Sequence, residues 1–214
     1  MLIVIEGSDG CGKQTQSTLL AKRLGELGKS VQRVSYPNYQ SITGGWVRHY
    51  LNGGFGDHAP SVNPYAASAL FGLDRFYDKE NLAADYIIAD RYAQSNLIYQ
   101  GAKIVPSDRK EFWDWAEDFE YNKLGIPRAD IVLFLDIPPK ISKALRENRE
   151  EKFSGGDIHE SDEIYLERCY AVCKELAEYY NWHQISCIEE NGDLMSPDVI
   201  NDKIYDLIKE MGNI

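Results

Sequence analysis

The chain has 214 residues, 43% of them hydrophobic, with 34 Asp and Glu against 23 Lys and Arg for a net charge of −11. That length and apolar content suit a single domain spanning 1–214 with a real core, while the acidic balance repels polyanions and leaves room only for a small ligand such as one nucleotide in a local basic pocket. No apolar run approaches the roughly 18 residues of a membrane helix, and Leu2–Ile5 is too short, and too soon followed by acidic and glycine residues, to be a secretory signal.

Leu2-Ile3-Val4-Ile5 reads as a buried strand and runs into Gly7-Ser8-Asp9-Gly10-Cys11-Gly12-Lys13-Gln14-Thr15. A strand, a glycine-rich turn, a lysine and a helix from about Thr15 form a phosphate-binding loop in the setting its chemistry requires. Glycines let the backbone curl so that N–H groups point inward at phosphate oxygens. The following helix adds the positive end of its dipole, and Lys13 brings a full charge to the transferred phosphate. Residues 7–15 are therefore expected to hold the phosphates of a nucleotide donor. One position departs from the pattern: Gln14 stands where a Ser or Thr hydroxyl would reach Mg²⁺. Thr15 comes one residue late, about 100° further round the helix.

Gln16 to Leu27 has helical periodicity, with Gly28 as its C-cap. Val31 to Tyr36 reads as a second strand stopped at Pro37, and Thr43 to Leu51 as a short helix ended by Asn52-Gly53-Gly54. Asn63 to Ala84 reads as a long helix, capped by Asn63 with Pro64 in its first turn. Tyr86 to Ala89 is a buried strand, Glu111 to Asn122 an aromatic helix, and Ile131 to Leu135 the most strand-like run. A helix follows from Pro138, then helical Glu160 to Tyr180, a last strand His183 to Ile188, and a closing helix Pro197 to Met211. This alternation indicates an α/β fold, a three-layer α/β/α sandwich around a five-stranded parallel sheet. Ligands of such sheets gather at the carboxyl ends of the strands, which directs inspection to the residues just after Ile5, Tyr36, Ala89 and Leu135.

Between the elements, residues 146–157 break the hydrophobic pattern with a charged stretch ending on Gly155-Gly156. That is the composition of a short mobile lid over a phosphate site, or more plainly of a solvated loop. The four cysteines, Cys11, Cys169, Cys173 and Cys187, show no metal-type spacing and read as reduced thiols of a cytoplasmic protein.

Asp90-Arg91-Tyr92 closes the third strand. An Asp there can hold Mg²⁺ directly or through water, and the adjacent Arg can fork onto a phosphate. The plainer alternative is a buried ion pair at the strand end. Phosphoryl transfer between two nucleotides brings several anionic oxygens together, so cations are needed from more than one side. Lys13, Arg91, Arg146 and Arg149 are the candidates.

The stretch from Asp90 through Ser95-Asn96 to Tyr99-Gln100-Gly101-Ala102 resembles the signature of thymidylate kinases. Tyr36-Pro37-Asn38-Tyr39, Leu70 to Arg75, and Asp157-Ile158-His159-Glu160 with Tyr180 resemble the family in the same order, and the similarity is greatest to its bacterial branch. The resemblance implies transfer of the γ-phosphoryl group of ATP to dTMP, with Mg²⁺, in a homodimer. It implies that Phe71 stacks on the thymine, that Arg75 and Asn96 read its polar edge, and that Tyr99 packs on the deoxyribose. Arg91 would grip the monophosphate, helped by Tyr36, Tyr39 and Ser95, while Asp9 would face the sugar hydroxyl or the metal. Glu160 would be a second acidic contact or metal ligand. Taken alone, Phe71 is equally a core phenylalanine and Glu160 equally a helix N-terminal acid.

Two positions depart from the family. Gly10 stands where many members have an arginine, which shifts the catalytic arginine to the lid, Arg146 or Arg149. Tyr39 stands where some relatives place an arginine on the monophosphate. Other readings stay open: a kinase of another nucleotide or deoxynucleoside, or a nucleotide-dependent switch or ATPase. Against the switch, Asp90 is followed by Arg-Tyr-Ala rather than the x-x-Gly of a switch-type Asp-x-x-Gly, and Asn122-Lys123-Leu124-Gly125 lacks the Asp of a guanine-reading motif.

Overall fold

The computed structural model describes residues 1–56, 58–148, 158–159 and 162–212. Five strands, β1 (Leu2–Glu6), β2 (Val31–Ser35), β3 (Tyr86–Asp90), β4 (Ile131–Asp136) and β5 (His183–Ser186), form one sheet in the order β2-β3-β1-β4-β5. Every pairing is parallel. The central strand β1 is buried along its whole length, and its alternation divides the core. Ile3 and Ile5 face one side with Leu133, Leu135 and the helix residues Leu20, Leu24, Ile204 and Ile208. Leu2 and Val4 face the other, against Ala89 and Tyr92.

Eight helices can be named. α1 (Lys13–Glu26) and α8 (Pro197–Glu210) cover the first face, tied by Asn201 Nδ2 donating to Gln16 Oε1 at 3.0 Å. α2 (Ile42–Leu51), α3 (Pro64–Asp78), α5 (Arg109–Glu117) and α7 (Glu163–Tyr179) contribute to a second apolar cluster that includes Tyr50, Phe112, Val172 and Leu176. α4 (Ala93–Ser95) continues as a π-helical turn, Asn96–Gln100, and α6 (Pro139–Glu147) leads to the lid region. Helix starts follow local chemistry: the side chains of Ser41, Asn63, Asp162 and Ser196 accept N–H groups of the first turns of α2, α3, α7 and α8. Gly28, at φ 76°, ends α1 in a Schellman arrangement, with Lys29 N–H bonded to Leu24 O.

Several boundaries differ from the sequence expectation, for physical reasons. The long helix expected to run to Ala84 stops at Asp78 and tightens to a 3₁₀ turn, Lys79–Asn81. Gln32 of β2 then draws the chain into the sheet, donating to Asn81 O at 2.9 Å and accepting from Ala83 N–H at 3.0 Å. Residues after Arg91, assigned no helix from sequence, are helical from Ala93 to Lys103, and α5 runs into a second π turn, Asp118–Lys123. β5 ends at Ser186, with Ile188 instead bridged to Leu194. Most of the expected lid, residues 149–157 with Arg149, lies outside the described residues, as does Glu160.

Candidate active site

The phosphate loop joins β1 to α1. Gly10 and Gly12 have φ of 89° and 84°, backbone that side chains resist, so the loop can curl over the start of α1. Lys13 is buried and turned back onto its own loop, donating to Gly7 O at 3.0 Å and Ser8 O at 2.9 Å. A Cβ at residue 10 would meet Ser142 O at 2.5 Å and Arg146 Cγ at 2.7 Å. The arginine expected from the lid thus occupies the space that a side chain on the loop would need. Gly10→Ala is expected to destabilise the fold by about 1–3 kcal/mol and to lower turnover by displacing α6; thermal unfolding with an unchanged midpoint would contradict it.

Arg146 braces the loop from outside. Its Nη1 donates to Asp9 O at 2.9 Å, and its Nη2 to both carboxylate oxygens of Glu163 at 3.0 and 3.1 Å. The Asp9 side chain turns inward, where Arg91 Nη2 donates to Oδ1 and the Tyr99 hydroxyl to Oδ2 at 3.1 Å. Burial by itself would raise the Asp9 carboxyl, but Arg91 and then Lys13 outweigh it and hold it at about 2. Arg91 sits at φ 67°, a left-handed backbone rare outside glycine, with its guanidinium 4.9 Å from the centre of the Tyr99 ring. Such strain persists where surrounding structure over-determines it, and it clusters at functional sites.

Asp9, Lys13, Arg91 and Tyr99 line a cleft of about 540 Å³ at the carboxyl ends of the strands. On one side of the loop the wall is apolar, formed by Ile137, Leu145, Leu194, Met195, Pro197 and Ile200. On the other side stand Tyr36, Tyr39, Phe71, Arg75, Asn96, Tyr99, Gln100 and His159. Both sets of residues line the one cavity that the phosphate loop also lines.

The geometry agrees with comparisons to known proteins. A family model described as thymidylate kinase matches residues 5–195. The chain belongs to the thymidylate kinase family. It is 33% identical over 185 residues to the thymidylate kinase of Mycobacterium tuberculosis, covering 83% of this chain and 86% of that one. It is 27% identical over 220 residues to the thymidylate kinase of Caenorhabditis elegans, covering 96% and 90%. A solved thymidylate kinase from Candida albicans superposes with a TM-score of 0.72 at 20% identity, over 99% of this chain and 92% of that one, and so shares its fold. Membership makes the chain an ATP-dependent nucleoside monophosphate kinase, a phosphotransferase.

Within this thymidylate kinase fold, residues picked out from sequence converge on the cleft in distinct ways. Gly10 to Thr15 line it, as do Asp9, Asp90, Arg91 and the side chains from Tyr36 to Gln100 named above. Ser95 also lines it, but its hydroxyl is spent on Glu6, at 2.8 and 3.0 Å from the two carboxylate oxygens. Arg75 is almost fully buried within that wall and paired through two bonds with Glu120. Tyr39 packs under the Arg48 guanidinium, 5.1 Å from the ring centre, so the hydroxyl that reaches Asp9 is that of Tyr99. Gln14 and Thr15 are exposed at the start of α1. All four cysteines are buried free thiols.

Sequence reasoning missed several site residues. Glu6 closes β1 fully buried and accepts Tyr92 N–H at 3.0 Å; burial pushes its carboxyl up. An acid ending an otherwise apolar strand is the signal that could have marked it. Asp74 holds the loop after β2 to α3 by accepting from Asn38 N–H at 2.7 Å, Ser41 at 2.8 Å and Thr43 at 2.9 Å. Gln100 is fully buried in the cleft wall with neither amide atom hydrogen-bonded among the described residues.

His159 bridges the lid region to the acceptor side. Its ring stacks on Tyr99 at 5.7 Å, and its Nε2 lies 2.7 Å from the Tyr50 hydroxyl, to which Lys103 donates at 2.9 Å. Burial, and then Lys103, hold its pKa down at about 3. Because the unfolded chain takes up this proton near 6.5 and the folded chain does not, stability falls as pH drops between those values. From pH 7 to 5 the loss from this group is expected at about 2 kcal/mol. Urea midpoints of the wild type and His159→Gln at the two pH values measure it, and equal slopes for both proteins would refute it.

Proposed function

We propose that this cleft transfers the γ-phosphoryl group of ATP to dTMP, giving ADP and dTDP, with each residue in a definite role. The observation that carries the reading is the pairing of a phosphate loop with Phe71, Arg75 and Asn96 in one cleft. A flat aromatic face suits a pyrimidine. Arg75 can only donate, which suits the thymine O4 acceptor and opposes the N4 donor of cytosine. On the donor side, the loop N–H groups and Lys13 hold the ATP phosphates, and the apolar wall from Ile137 to Ile200 takes the purine.

The acceptor phosphate is itself the anionic nucleophile, so no side chain has to abstract a proton; catalysis is positioning and neutralisation of charge. Arg91 grips the dTMP phosphate with its fork. Asp9 orients Arg91 and Tyr99, and an entering sugar hydroxyl competes for its carboxylate. Arg146 keeps the loop in shape through Asp9 O, and Arg149, outside the described residues, is the candidate for the transferred group.

Mg²⁺ fits the donor set. The ion needs one or two carboxylates beside nucleotide phosphates and waters. Asp90 lines the cleft with its carboxylate free of hydrogen bonds among the described residues, and Asp9 is close in the chain fold through Arg91. Asp90 would hold the ion through water or directly, with Glu160 as a further candidate, and the ion would neutralise charge between the phosphates.

Two helices also turn apolar side chains to solvent, Ile42 and Trp46 on α2 and Leu73, Phe76 and Tyr77 on α3. The reading includes a homodimer through this face; Phe112 and Trp113 on α5 are buried in the core instead. Light scattering of the wild type and Trp46→Glu tests it; an unchanged monomer for both would remove the dimer.

The decisive assay is ADP production from ATP and Mg²⁺ with each nucleoside monophosphate and with thymidine supplied separately. Turnover should be strongest with dTMP. Preference for another acceptor would reassign the pocket, and turnover indifferent to all acceptors would point to an ATPase.

A further inference from the structure

We infer that Glu120, which does not line the cleft, is the positioning residue that sets which pyrimidine edge the kinase accepts. The inference rests on the reading of Arg75 and Asn96 as the base-contacting pair. Glu120 projects from the π turn Asp118–Lys123 and is only 1% exposed. Both of its oxygens are occupied: Oε2 accepts from Arg75 Nε at 2.7 Å, while Oε1 accepts from Arg75 Nη2 and from Asn96 Nδ2 at 2.6 Å.

The consequence for Asn96 follows from donor and acceptor counting. Its amide has two N–H groups and one carbonyl. One N–H goes to Glu120 and the other to Ser68 O at 3.1 Å, and both partners can only accept. The amide therefore cannot turn over, and its carbonyl is the group left for a ligand. Arg75, with two of its five N–H groups fixed on Glu120, has donors left. One residue outside the cleft thus commits the wall to a donor beside an acceptor. Thymine offers the complement, O4 and N3–H; cytosine presents N4–H₂ and a bare N3, opposed at both positions. A wall with a free amide at residue 96 could turn it to suit either base.

Glu120→Gln is nearly isosteric and tests this directly. A glutamine amide keeps one acceptor but presents N–H groups where the second oxygen stood, so Arg75 loses a bond or Asn96 turns over. The expected result is a dTMP KM raised roughly tenfold with kcat nearly retained, and kcat/KM for dCMP increased in absolute terms. The KM for ATP should not move. A merely structural role would lower both substrates together and could not raise dCMP. Folded variant with an unchanged dTMP-to-dCMP ratio, or equal losses for both, would overturn the inference. If Glu120→Gln does not fold, Glu120→Asp, which keeps the charge one methylene short, is judged by the same ratio. Arg75→Ala and Asn96→Ala run in parallel. If they also leave the ratio unchanged, the base reading itself fails; if they lower it and the Glu120 variant does not, only the role of Glu120 fails.

Discussion

Arg91→Ala is expected to lower kcat for dTMP phosphorylation by about a thousandfold, with a smaller rise in the dTMP KM. Two effects combine. The planar fork that can meet two phosphate oxygens at once is lost, and Asp9 is left buried without its main counter-charge, since Arg91 is the largest of the groups that lower its carboxyl. The backbone at residue 91 keeps its φ of 67° because Arg91 N–H is fixed on Ile5 O at 3.1 Å, so alanine inherits the conformation and the defect stays chemical. Arg91→Lys should recover little, because an ammonium is a point charge and cannot bridge Asp9 and a phosphate with one rigid plane. Steady-state ADP release measures both variants. Activity of Arg91→Ala within tenfold of wild type would remove the residue from the transfer step.

Lys13→Met is the second large effect, expected at about a hundredfold or more in kcat, with little change in thermal stability. Methionine matches the length and packing of the buried stem, so the loop keeps its shape. The ammonium that bonds Gly7 O and Ser8 O is gone, and with it the one full positive charge inside the loop. A variant that retained turnover would mean that the loop N–H groups and the arginines suffice for charge neutralisation. A variant that unfolded would instead assign Lys13 the structural role of satisfying those carbonyls.

Much of this protein could be read from order along the chain. The apolar run Leu2 to Ile5 gave a buried strand, Gly7 to Lys13 a phosphate loop, and alternating strands and helices a parallel sheet with its site at the carboxyl ends. These are local properties: backbone freedom at glycine, periodicity, capping by Asn63, the charge of a lysine. Candidate substrate residues came from resemblance, and the described ones line one cleft, whereas Arg146, a candidate for neutralising phosphate charge, does not.

Other features depend on residues far apart in sequence. Glu120 is one acid in an aromatic helix until the fold sets it against Arg75 and Asn96, and a 3.6-residue period cannot show that the two segments carrying Glu120 and Asn96 are π-helical turns, where that period shifts phase. Glu6 is one acid after an apolar run until the fold brings Tyr92 and Ser95 onto it. Local chemistry along the chain was enough for the class of fold, the phosphate loop and a nucleotide as ligand. Which carboxylate pairs with which arginine came from the folded packing, because in a buried site hydrogen-bond direction is fixed by every partner at once.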